Sequence, residues 1–131
     1  MATMSAGTTT YNVYRVFFSQ SSGTEYEAIA LVPQENKDQG AGRFYHVIGT
    51  VGLGMDYESK PAHRFDKIPE YKGAAFLFRL PRAQLARFEE IARSCPPPHD
   101  PRALTKAKPD PPVRDCSSWI DEVLAAARDL V

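Results

Sequence analysis

Apolar and polar positions change period several times along this chain, and each change marks an element. Residues 11–18, YNVYRVFF, are dense in aromatic and β-branched side chains and predict a strand. Polar turn residues at 19–24 separate it from a second extended run at 25–32, so the two predict an antiparallel hairpin with a longer loop. Pro33 ends that run, and 34–42 is a polar, glycine-containing connection. A third strand is predicted over 43–51, centred on Phe44-Tyr45-His46-Val47-Ile48. Gly49, Gly52 and Gly54 interrupt the pattern and predict a bulge or tight turn before a short fourth strand at 56–58. Residues 59–73, with Pro61 and Pro69 among mixed charges, predict a long surface loop. Residues 74–80 then resume a strand of the buried kind.

The period next becomes helical. Pro81 suits a first helical turn, and Leu85, Phe88, Ile91, Ala92 and Cys95 recur at three- and four-residue intervals. Three prolines, Pro96, Pro97 and Pro98, stop this helix. Seven of the eleven prolines fall between Pro96 and Pro112, so 96–114 reads as an extended, semi-rigid connector. Asp115 is the N-cap candidate of a final helix whose apolar stripe is Cys116, Trp119, Ile120, Val123, Leu124 and Ala127. Together these elements predict an α+β fold: an antiparallel sheet of four to five strands with two C-terminal helices packed on one face. Residues 1–10 read as a flexible leader and 11–131 as a single domain.

Charge narrows the function. Sixteen basic residues balance sixteen acidic ones, so the basic excess of a nucleic-acid binder is missing. The N-terminal residues lack the charged and apolar regions of a signal peptide, and no apolar run reaches membrane-spanning length. With two cysteines, Cys95 and Cys116, and no disulfide framework, a cytoplasmic setting with free thiols is expected. The histidines and cysteines lack the paired spacings of zinc sites, so neither a metal nor a cofactor is expected.

Candidate chemistry centres on Cys116. The first turn of a helix offers unpaired N–H groups and a positive dipole end, which favour a thiolate. The same position lies on the apolar stripe, where a buried, inert cysteine serves equally well. A catalytic thiol needs a base, and His46, on a predicted strand and facing away from Tyr45 and Val47, is the first candidate. Glu27 on the neighbouring strand is the candidate to orient it. Tyr26, Tyr45, Tyr57 and Trp119 are the aromatic residues available to line a ligand groove, with Trp119 equally suited to anchor the core.

Four segments carry a family resemblance: 25–32 (EYEAIALV), 42–47 (GRFYHV), 54–58 (GMDYE) and 116–119 (CSSW). In this order they resemble a group of small, uncharacterised fungal proteins with a YHV-like strand and a terminal CxxW helix. More remotely the chain is similar to circularly permuted NlpC/P60, or papain-like, proteins, in which histidine-bearing strands precede the cysteine-bearing helix. That resemblance implies a thiol hydrolase or acyltransferase, with Cys116 at the nucleophile position and His46 at the polar position of the second strand. Where those enzymes open their first strand with the principal histidine, this chain has Tyr26 and Glu27. Three expectations follow: a cysteine-dependent enzyme, an inactive relative binding a small molecule or peptide, or an interaction protein that forms a homodimer.

Overall fold

Residues 28–32, AIALV, are all inaccessible to solvent, as befits a strand covered on both faces at the centre of a sheet. The computed structural model describes residues 10–19, 25–36, 39–106 and 108–131. Nearly all of the expected leader and most of the first turn lie outside the described residues. Five strands, β1 (Thr10–Ser19), β2 (Glu25–Pro33), β3 (Ala41–Ile48), β4 (Asp56–Arg64) and β5 (Tyr71–Pro81), form one antiparallel sheet in the order β4-β3-β2-β1-β5. The first four make a meander, and β5 returns to pair with β1 at the opposite edge.

Three helices follow: α1 (Leu85–Ser94), a single turn α2 (Arg102–Thr105), and α3 (Cys116–Ala127). α1 and α3 lie on one face of the sheet. Their Phe88, Ala92, Trp119, Ile120 and Val123 pack with Tyr11, Val13, Ile29, Leu31, Tyr45 and Val47 from the strands. The α+β class and the helices on one face follow the sequence pattern directly.

The reverse face carries a second core that the pattern does not predict. Val16, Phe18, Ala28, Ala30, Val32 and Phe44 point to it, and Phe65 packs over them with Ile68 and Tyr71 at its margin. The six residues between β4 and β5 carry the chain across this face, beginning with the 3-10 turn Phe65–Lys67. Residues 59–73 are therefore not one long loop. β4 continues through Pro61 to Arg64, as an edge strand permits, and β5 begins at Tyr71.

Two further boundaries differ. Pro81 closes β5, and a 3-10 turn at Arg82–Gln84 precedes α1. The proline-rich connector contains α2, whose first turn is held by Asp100 accepting from the Arg102 backbone and guanidinium. The connector docks on the β3–β4 loop, with Met55 N–H donating to Pro98 O and Asp100 N–H to Val51 O. Gly49 and Gly54 take positive φ there, and the close approach of Leu104 leaves no room for a Cβ at Gly52.

Candidate functional site

Asp115 caps α3 as its sequence predicts. Its carboxylate accepts from the Ser118 backbone N–H at 3.1 Å, while the Asp115 N–H donates to Ser118 Oγ at 3.1 Å. Cys116 is thus the first helical residue, turned down onto the sheet and 9% exposed. Burial dominates its chemistry and pushes the thiol pKa up. The backbone N–H of Glu27 pulls it down, the charges of Asp115 and Glu27 push it up, and the backbone N–H of Ser117 adds a smaller downward pull. At this helix start burial outweighs the backbone donors that favour a thiolate.

Beside Cys116, the helix is tied to the sheet by Arg15. Its Nε donates to Glu27 Oε1 at 2.6 Å, its Nη1 to Asp121 Oδ1 at 2.7 Å, and its Nη2 to Ser117 Oγ at 2.7 Å. The guanidinium and the Glu27 carboxylate are both mostly shielded, with side-chain exposures of 19% and 12%. Three acceptors from β2 and α3 therefore share one cation from β1. Arg15 was missed from sequence, although it stands in the core-facing series Tyr11, Val13, Arg15, Phe17, where a lone charge signals a buried pairing.

His46 is elsewhere. It lies between Tyr45 and Val47, both of which pack in the same core as Cys116, so alternation turns His46 to the reverse face. There its ring meets Phe44 at 5.0 Å and Tyr26 at 5.6 Å between centroids. The expected Cys116–His46 pair is not formed: the thickness of the sheet separates them. Glu27 does not orient His46 either, since it faces α3 and binds Arg15. The partner of His46 is Glu58 of β4, with Nε2 and Oε1 2.6 Å apart. An ionised carboxylate can only accept, so Nε2 carries the hydrogen and Nδ1 is the bare acceptor. Nδ1 is buried without a hydrogen-bond partner among the described residues. Burial lowers the His46 pKa despite Glu58, and the His46 contact lowers that of Glu58.

The four aromatic candidates do not converge on a groove. Trp119 is fully buried and donates its indole N–H to Cys95 O at 3.1 Å, which closes the end of α1. Tyr45 is equally buried and donates to Glu89 Oε2 at 2.7 Å; burial and that contact raise its pKa far above the tyrosine range. Tyr57 is half-buried against Trp119, with ring centroids 5.8 Å apart. Tyr26 stands on the reverse face with Phe18. Tyr45 and Trp119 are core residues, too enclosed to receive a ligand. Among the described residues, no three His, Cys, Asp or Glu side chains gather as a metal site, and no helix is long and apolar enough to cross a membrane.

These features define an α+β protein in which a five-stranded antiparallel sheet buries a capped, helix-opening cysteine under its last helix. The chain belongs to DUF6540, a family of unknown function, which matches residues 13–130. The match takes in Arg15, Glu27, Cys116 and Asp121 together. No curated protein matches the chain, and no solved structure does.

Proposed function

We propose that this chain is a non-catalytic interaction protein on a permuted papain-like scaffold, in which the old nucleophile position has become part of the core. The observation that carries this reading is the environment of Cys116. The strand residue that meets the thiol is Glu27, where the related enzymes are expected to place a histidine, and Glu27 is committed to Arg15. A carboxylate locked in an ion pair is a poor proton acceptor, and a buried thiol whose pKa is raised is a poor nucleophile. His46 could replace neither function from the reverse face.

The hydrolase or acyltransferase reading requires the opposite: an accessible thiolate at neutral pH. Alkylation of the native protein across pH 6–9, read by mass spectrometry for each cysteine, separates the two. Cys95 is half-buried at the end of α1 and serves as the internal comparison. The expected result is slow labelling at Cys95 and essentially none at Cys116 until the protein is unfolded. Rapid labelling of Cys116 with an apparent pKa below that of an ordinary thiol overturns the proposal and restores the enzyme.

A further inference from the structure

The two edges of the sheet are built differently. β4 carries Asp56, Glu58, Lys60, His63 and, within the strand, Pro61, a composition that discourages a further strand. β5 keeps its charges and proline toward its ends, at Lys72, Arg79 and Pro81, and its centre from Gly73 to Phe78 is uncharged; among the described residues it pairs on one side only, with β1. Phe76 is 50% exposed there. An edge with an uncharged centre of this kind takes an extended strand, because only a strand repeats donors and acceptors at the spacing of the outward backbone groups.

Building on the interaction reading above, we propose that β5 is a self-association edge: two copies pair antiparallel about a two-fold axis at Ala75 and join their sheets into one. Symmetry restricts the register. Over residues 73–76 successive residues direct their backbone groups alternately toward β1 and outward, so opposed residues there must share parity and the axis must pass through a residue. With the axis at Ala75, Ala74 opposes the partner's Phe76 within the regular stretch, and Gly73 comes against the bulge at the partner's Leu77.

Large side chains then meet small ones, and no charged residues face one another across the regular stretch 73–76. An open groove of about 370 Å3 lies beside Phe17, Gly73, Ala74 and Ala75, with Lys72 at its margin. A Cβ placed on Gly73 would meet nothing within 4 Å, so the partner's Leu77 has room there. An axis at Ala74 would instead set Gly73, Ala74 and Ala75 against one another and lose this contact. The β1–β5 register shifts on both sides of residues 73–76, leaving a short straight stretch for pairing. The dimer is accordingly reversible and concentration-dependent.

Sedimentation velocity of the full chain from about 5 μM to about 500 μM tests this. The expected result is a reversible monomer–dimer equilibrium. Ala75→Lys places two ammonium groups opposite one another at the axis and should weaken the dimer about tenfold, with far-UV circular dichroism retained and only a small fall in Tm, since Ala75 also stands opposite Arg15 on β1. As a second variant, Ala75→Cys should cross-link two copies through the introduced thiols on mild oxidation. Opposed Cα atoms in antiparallel strands lie about 4.5–5.5 Å apart, within disulfide reach. A monomer at every concentration, or a dimer that Ala75→Lys leaves intact, overturns the proposal; an edge that takes some other protein gives the first of these. Either failure leaves the Cys116 labelling result standing, so the two readings fail separately.

Discussion

Arg15 Nε lies 2.6 Å from Glu27 Oε1, and this pair joins the first hairpin to the start of the last helix through Ser117 and Asp121. Its energetic role is positional. Removing the guanidinium leaves the shielded Glu27 carboxylate without its cation, so Arg15→Ala is expected to cost about 2 kcal/mol, between the values for exposed and fully buried pairs. The double variant Arg15→Ala/Glu27→Ala should recover part of that loss, because no uncompensated charge remains. Urea unfolding of the four proteins in the cycle measures the coupling. Strict additivity would show that the two side chains stabilise the fold independently.

His46 predicts a pH dependence with a definite sign. Burial holds its native pKa below the unfolded value of about 6.5. Between those two values the unfolded chain binds the proton more readily than the native protein. Stability is therefore fully present above pH 6.5 and falls as pH drops toward the native pKa. His63, whose ring lies 4.6 Å from Phe44, is shifted in the same direction, chiefly by burial. Tm measured from pH 7.5 to 5 should decline, and His46→Gln should flatten the curve, leaving a remainder from His63. A wild-type Tm that is constant or rises over this interval would contradict the assignment.

Trp119 makes the helix-facing core sensitive to a single atom. Trp119→Phe keeps most of the apolar volume but leaves Cys95 O without its indole donor, and is expected to cost about 2 kcal/mol. Trp119→Ala opens a cavity between α3 and β4 and should cost about 4 kcal/mol. Chemical denaturation, with unchanged m-values as a check on two-state behaviour, gives both numbers. Near-equal losses would mean that the hydrogen bond, rather than the ring volume, sets the role of this residue.

Local patterns in the chain were legible because they depend on near neighbours. The aromatic and β-branched run at 11–18, the unbroken AIALV of the central strand, the stripe of α3 and its Asp115 cap all recur in the structure at or near the expected positions. Residues 59–73 were misread because Pro61 and the surrounding charges also describe a solvent-facing edge strand, and sequence composition alone does not separate the two. The second core was hidden for a related reason: Phe65, Ile68 and Tyr71 recur every third residue around Pro69, a spacing that fits neither strand alternation nor a continuous helix, and they acquire a face only by packing over β1, β2 and β3.

The candidate site divides along the same line. Alternation alone put His46 on the face opposite Tyr45 and Val47, and periodicity alone put Cys116 on the apolar side of its helix. Neither indicates which face of the sheet receives the helices. That choice depends on total apolar area, and the face with Ile29, Leu31, Tyr45 and Val47 accommodates α1 and α3 while Phe65 covers the other. Residue order therefore determined the elements, their caps and the inward side of each. Only packing in three dimensions decided that Cys116 would meet Glu27 and Arg15 rather than His46, because contacts between residues distant in the chain are set by which surfaces exclude water together.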